Sequence, residues 1–267
     1  MSAAGAACQA LSMSFETVLA EILPELQREE GVQAIFLTGS VARGEADEFS
    51  DLDISVLVKA DRFVGNTVAY RGGVLLSVDR STAARRARAL TEPETALWNL
   101  VSLQTGVPLY DPDGIFADLQ ARARAVRWSA LAARADARAA ELLADSAEEL
   151  HKVMGGLKSG DNAKVAYACL GLTLSLGKAA LLSAGSPIPS ENRFLSLVRD
   201  AWTDTEWHQA YGTLAGLEGG DLQARGQAAL RAYRRAAALL RWPAGPQREL
   251  AHGAAAQAAA FSATLST

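Results

Sequence analysis

Two short apolar runs with β-branched content, Ala34 to Thr38 and Leu52 to Lys59, constrain this chain more than any other feature in it. Each has the length of a strand, and the first is stopped by Gly39. A third strand is predicted at Val74 to Val78, introduced by Gly72 and Gly73. Ahead of them, Phe15 to Glu29 puts Phe15, Val18, Leu19, Ile22 and Leu26 on one helical face and acids on the other. The order strand, glycine turn, short helix, strand predicts a small mixed α/β layer near the start of the chain.

After the turn cluster Tyr110 to Gly114, YDPDG, the strand signal fades. Leu131 to Met154 is alanine-rich and free of proline, and Asp161 to Ala184 follows after Gly155, Gly156 and Gly160. Ser190 and Asp221 have N-cap chemistry for helices running toward Trp202 and to Trp242. These segments predict a helical bundle. Pro243 to Pro246 breaks it, and the tail ending AAAQAAAFSATLST has the composition of a low-complexity, disordered segment. The expected class is α+β: a mixed-sheet domain over residues 1–110, an all-α helical bundle over 111–242, and an Ala-rich tail over 243–267.

A length of 267 residues suits two domains, and 49% hydrophobic with 21% charged residues is the balance of a globular chain. The net charge of −4 is unevenly placed: Met1 to Tyr110 holds 9 Lys and Arg against 14 Asp and Glu, the remainder 17 against 16. An acidic first part argues against a broad grip on a nucleic-acid backbone and suits a cationic small substrate. Cys8 and Cys169 form no CxxC, so neither a disulfide framework nor a zinc site is signalled, and a cytoplasmic location is expected. The opening stretch, Met1 to Phe15, lacks the charged start and apolar core of a secretory signal. Val165 to Gly177 is uncharged but too short to span a bilayer and predicts a buried helix, so no membrane partner is expected.

Asp51 and Asp53 are separated by one strand residue, which puts both on one face while Leu52, Ile54 and Val56 point to the other. Two adjacent carboxylates repel without a cation. Magnesium supplies one, taking hard oxygen ligands and sharing substrate phosphates. Taken alone, an Asp-x-Asp also describes a polar strand end in solvent. Upstream, Gly39 and Ser40 follow the first strand directly, where a glycine allows close backbone approach and exposed N–H groups favour phosphate. Only a short stretch of chain separates this turn from Asp51, near enough for both to line one cleft.

Gly39, Ser40, Arg43, Gly44, Ser50, Asp51 and Asp53 together resemble the signature of the DNA polymerase β-type nucleotidyltransferase superfamily: Gly-Ser, then Arg-Gly, then Ser-Asp-x-Asp before an apolar strand. The resemblance covers residues 32–58. It implies that Gly39 and Ser40 hold a triphosphate and that Asp51 and Asp53 are catalytic metal ligands. Arg43 either contacts phosphate or pairs with Glu45 or Asp47. The family usually carries a third carboxylate on a later strand; Asp79 is the acid available, with Ser77 on the same strand face as the alternative occupant. Related two-domain enzymes that modify antibiotics place a base and a phosphate-binding lysine on a bundle helix, which makes Lys152, beside Glu148, Glu149 and His151, a nucleotide-binding candidate. Pairing of Lys152 with Glu148 at i,i+4 is the alternative.

Other chemistries lack their residues. Gly39 to Gly44 fits the start of a P-loop, yet Glu45 and Ala46 stand where Lys and Ser or Thr are required, and there is no HExxH, GxSxG or GxGxxG. The chain thus resembles two-domain aminoglycoside and lincosamide nucleotidyltransferases. That likeness implies Mg2+-dependent transfer of a nucleoside monophosphate, with ATP as the NTP, to a hydroxyl of a small acceptor, and a bundle that helps bind the acceptor and forms a homodimer. Two alternatives share the signature: a protein-modifying adenylyltransferase of the toxin-antitoxin type, and a nucleotide-binding regulatory protein without turnover.

Overall fold

The computed structural model describes residues 3–265, with side chains from Ser14 onward; Cys8 therefore lies outside the described side chains. The chain divides into two compact units, Met1–Val126 and Arg127–Thr267.

The first unit runs α1 (Ala3–Arg28), β1 (Val32–Leu37), α2 (Gly39–Ala42), β2 (Leu52–Val58), β3 (Gly65–Arg71), β4 (Val74–Ser81), α3 (Ala83–Ala89), α4 (Pro93–Thr105), β5 (Val107–Tyr110) and α5 (Ile115–Ala125). Its sheet has the order β3-β4-β2-β1-β5. β2 and β4 are parallel, and the other neighbours are antiparallel. The three predicted strands are β1, β2 and β4. β3 escaped prediction because it lies exposed along nearly its whole length and so shows no apolar alternation. β5 escaped because it is a short edge strand holding Pro108, which donates no ladder bond.

Strand parity sorts the core into two layers. Ile54, Val56, Leu76 and Val78 face Val18, Ile22 and Leu26 of α1. On the opposite face Ala34, Phe36 and Leu57 meet Leu100 and Leu103 of α4 and Phe116 and Leu119 of α5, with the Phe36 and Phe116 rings stacked at 4.0 Å. Each buried Val, Leu, Ile or Phe side chain among these contributes about 1.5–3 kcal/mol relative to exposure, enough to fix these helices on the sheet. Cover on that second face stops partway: Leu57 and Ser55 are buried, whereas Asp53 and Asp51 are only half-buried. Because α5 belongs to this core, the first unit extends to Val126 and not to Tyr110. The YDPDG turn sits within it, the Asp111 carboxylate accepting from the Phe116 and Ala117 amides at 3.1 and 2.9 Å.

The second unit is helical: α6 (Ala132–Asp145), α7 (Ala147–Ser159), α8 (Asn162–Ala184), α9 (Phe194–Arg199), α10 (Thr205–Ala215), α11 (Leu222–Leu239) and α12 (Pro246–Thr264). The single helix expected over Leu131 to Met154 is broken at Ser146, whose hydroxyl donates to the Leu143 carbonyl at 2.9 Å. Asp221 caps α11 as expected, and Asp161 caps α8. Ser190 instead caps one 3-10 turn, Glu191–Arg193, ahead of α9. α8 is long and apolar enough to cross a bilayer, but 61% of that stretch is buried inside the protein, as for the core helix expected here. The tail expectation is overturned: α12 is a helix with Ala251, Ala254 and Ala258 buried. Alanine is the strongest helix former, and the helical spacing of those three gives α12 a stripe to bury.

Candidate functional site

The glycine turn and the acidic strand meet at atomic distance. Gly39 has φ +71°, a left-handed conformation, and a Cβ built on it would collide with Asp53 Oδ2 and lie 3.1 Å from Asp53 Cγ. Only glycine satisfies both demands. The Thr38 amide donates to the Asp53 carbonyl at 2.9 Å, extending the β1–β2 ladder to the turn. Asp51 and Asp53 stand half-buried on either side of buried Leu52. Gly44, φ +68°, faces open space, so its requirement is one of backbone conformation alone.

The loop that delivers Asp51 is held by Asp47. Its carboxylate accepts from the Phe49 amide at 3.0 Å and from the Ser50 hydroxyl at 2.9 Å, and the Asp47 amide donates back to Ser50 Oγ at 2.9 Å. The Ser50 hydrogen bond, followed by that from Phe49, holds the Asp47 carboxyl below its ordinary value. Asp47, one of the two acids offered by the sequence as a partner for Arg43, is thus the loop's internal tie. Of the alternatives for Arg43, the structure displays the ion pair with Glu45, Nε to Oε2 at 2.9 Å.

On the other side of Asp53 lies β4. Ser77 is the register partner of Asp53, and Asp79 that of Ser55, one face position further along. Ser77 donates to Asn66 Oδ1 on β3 at 3.2 Å. Asp79 is ion-paired with Arg86 of α3, which also donates to Asn99 Oδ1 of α4 at 2.9 Å and to Ser55 Oγ at 3.4 Å. Burial pushes the Arg86 pKa down from the ordinary guanidinium value, and the Asp79 charge opposes it. Arg86 Nε is buried and has no hydrogen-bond partner among the described residues. Asn66, Arg86 and Asn99 were missed by sequence reasoning; the run Arg85, Arg86, Arg88 just past the third strand was the available signal.

In the bundle, Lys152 Nζ pairs with Glu148 at 2.8 Å and Glu149 at 3.6 Å, and sits 5.8 Å from the centre of the Tyr167 ring. The Glu148 hydrogen bond raises its pKa. This is the i,i+4 pairing set out as the alternative to nucleotide binding.

Among the described residues no group of three or more His, Cys, Asp and Glu side chains forms a metal cluster. Asp51 and Asp53 fit magnesium as a two-carboxylate set. They offer hard oxygens on either side of Leu52, and Asp53 Oδ2 packs against the bare backbone of Gly39, in the space a side chain there would fill. Magnesium commonly completes its shell with water and substrate phosphate when only one or two carboxylates are present.

Residues 19–96 match the family described as "Nucleotidyltransferase domain". No curated protein matches the chain. Among solved structures, it is similar to a nucleotidyltransferase-like protein from Exiguobacterium sibiricum 255-15, at 16% identity and a TM-score of 0.46 over 93% of this chain and 78% of that one. The Gly39–Ser40 turn and both aspartates fall within the span, residues 19–96, that matches the nucleotidyltransferase domain.

Proposed function

We propose that the protein transfers a nucleoside monophosphate, AMP from ATP, to a hydroxyl of a small acceptor in a magnesium-dependent reaction. The contact of Gly39 with Asp53 carries this reading: it joins a turn suited to phosphate to a pair of acids suited to a cation. Backbone N–H groups of Gly39 and Ser40 would hold the triphosphate, with the Ser40 hydroxyl as a further donor. Asp51 and Asp53 would hold magnesium, which when bound neutralises charge on the attacking and leaving oxygens of an in-line displacement. The acceptor oxygen bonds to the α-phosphorus, the bond from that phosphorus to the α–β bridging oxygen breaks, and pyrophosphate leaves. Of the two occupants weighed for the third carboxylate's place, Asp79 and Ser77, Ser77 is the register partner of Asp53; this reading gives it that place and assigns the hydroxyl proton to water. Asp79 positions Arg86 in this reading, Arg43 fixes the turn through Glu45, and Lys152 is given no role beyond its pairing with Glu148 and Glu149.

An aminoglycoside-like cation was expected as acceptor from the acidic balance of Met1 to Tyr110. That balance is a count along the sequence, and the cleft beside Asp79 has the opposite sign. A cytoplasmic site of action fits a supply of ATP and the buried Cys169 thiol, whose pKa burial pushes up to about 11.

The test incubates the protein with α-labelled ATP, magnesium and a panel of hydroxylated small molecules, with host-cell protein and tRNA in parallel. Label on a small molecule with release of pyrophosphate supports the reading, and label confined to protein or tRNA overturns it. The presence of Ser77 opposite Asp53 favours a second reading, a nucleotide-binding protein without turnover. Magnesium-dependent ATP binding with no pyrophosphate release in any arm would establish that reading instead.

A further inference from the structure

We propose that the cleft between β4 and helices α3 and α4 binds an anionic group, carboxylate or phosphate, and that this group belongs to the acceptor. The cleft has a volume of about 790 Å³ and is lined by Asn66, Asp79, Arg85, Arg86, Arg88 and Asn99. Two acids share this lining with the arginines: Asp79, engaged with Arg86, and Glu92. Arg80 also lines it, but its guanidinium pairs with Glu29, just past α1. Arg85 and Arg88 are exposed, and no ion pair joins either to another described residue. A concave site whose rim offers two guanidinium groups above a third, buried one suits an anion, because arginine presents several donors matched to carboxylate and phosphate oxygens. The Asn66 amide adds a neutral donor, while that of Asn99 donates to the Thr95 carbonyl at 2.8 Å and has one further N–H to offer. The buried, unpartnered Nε of Arg86 shows that the floor of this cleft is not satisfied by the protein alone.

Sheet order says which reactant uses the cleft. β2, with Asp53, lies between β1 and β4. Phosphates held at the Gly39–Ser40 turn lie on the β1 side of Asp53. In-line displacement brings the attacking oxygen from the side opposite the leaving pyrophosphate, which is the β4 side. There the path over Ser77 and Asn66 opens into the arginine cleft, since Ser77 is bonded to Asn66 and Asn66 lines it. Assignment to the acceptor rests on the transfer reaction proposed above; binding of an anion does not.

The experiment has two arms. In the first, inorganic phosphate and, separately, acetate are titrated into the protein without nucleotide or magnesium while the arginine side-chain Nε–Hε signals are followed by NMR. Phosphate, acetate or both should shift signals that vanish or move in an Arg85→Ala/Arg88→Ala variant, and that variant should bind the anion at least about tenfold more weakly, the scale of losing one charge-assisted hydrogen bond. Arg86 is left intact because its removal would strand Asp79 and disturb the fold. No arginine shift with either anion overturns the site. In the second arm, α-labelled ATP and magnesium are supplied with glycerol 3-phosphate, lactate, glycerol or an aminoglycoside. Transfer to glycerol 3-phosphate or lactate in preference to glycerol, with acceptor KM raised and ATP KM unchanged in the double variant, supports the acceptor assignment and separates phosphate from carboxylate. A raised ATP KM, with ATP displacing phosphate from the arginines, overturns it in favour of the nucleotide. Anion binding without any transfer upholds the cleft while the transfer reading fails.

Discussion

On the β1 side of Asp53 the site is made of backbone and local chain: a left-handed glycine, an amide bonded across the ladder, and a loop tied by Asp47 to Ser50. The β4 side is made of side chains gathered from separate elements, Asn66 on β3, Ser77 and Asp79 on β4, Arg86 on α3 and Asn99 on α4. A turn that must admit one residue type leaves a mark at a fixed place in the sequence. A cluster assembled by packing leaves marks scattered from Asn66 to Asn99, each ordinary by itself. The two sides also carry opposite chemistry, acids and phosphate-seeking amides on one, guanidinium groups on the other.

The largest expected effect tests the strand that both sides share. Asp51→Asn and Asp53→Asn should each lower transfer by about a thousandfold or more, several kcal/mol of lost charge stabilisation, while circular dichroism and melting temperature stay near the parent's. Removing one of two neighbouring like charges does not weaken the fold. Parent-like transfer in either variant would remove the metal site, and with it the comparison.

Next comes the backbone side. Gly39→Ala must place a side chain at φ +71° and against the Asp53 carboxylate. The left-handed conformation alone costs about 1–2 kcal/mol, and displacement of Asp53 by a fraction of an ångström should lower transfer by about tenfold to a hundredfold. Gly44→Ala meets the same conformational penalty in open space and should keep most of its transfer. Denaturant titration and kcat/KM of the pair separate the two effects; equal losses of transfer would mean that close approach at Gly39 is not what matters.

The contrast explains what was legible. β1, β2 and β4 were visible because each buries a strand face, and Gly39, Ser40, Asp51 and Asp53 because a motif concentrates them in one short stretch of chain. β3 and β5 were not, being exposed or short edges. The α-helical second unit was legible as a class, yet its tail was misread because alanine repetition is shared by disordered segments and by packed helices; only burial of Ala251, Ala254 and Ala258 tells them apart. Asp79 was visible as an acid near a strand end. Its ion pair with Arg86, on the following helix, depends on how α3 folds back over the sheet.

Asp79→Asn tests the side-chain half. It leaves the buried Arg86 guanidinium without its counter-charge, and because the Asp79 side chain is 43% exposed, solvent screening reduces the destabilisation to about 1–2 kcal/mol. Transfer should fall by less than about tenfold. A loss beyond about a hundredfold at unchanged KM is the signature of a general base and would return that role to Asp79.

The smallest effect should come from the tie in the loop before Asp51. Ser50→Ala removes the hydroxyl that donates to the Asp47 carboxylate and accepts from the Asp47 amide, but leaves the Phe49 amide bond to the same carboxylate. The loop should loosen without melting, and transfer should fall by only about twofold to fivefold, the scale of one solvent-exposed hydrogen bond. Acid gives an independent route to the same state. The Asp47 carboxyl is held below its ordinary value in the folded chain, so whatever order it lends the loop is complete above the ordinary carboxylate range and is lost as pH falls through the lowered value. Amide hydrogen exchange, corrected for its intrinsic pH dependence, should show protection at Phe49 declining on acidification in the parent and already reduced at neutral pH in Ser50→Ala. Protection at the Thr38 amide, bonded to the Asp53 carbonyl and not to the loop, should hold in both. Simultaneous loss at Phe49 and Thr38 would mean that the loop and the phosphate turn open as one unit, and the backbone side would then owe its geometry to Asp47 as much as to Gly39.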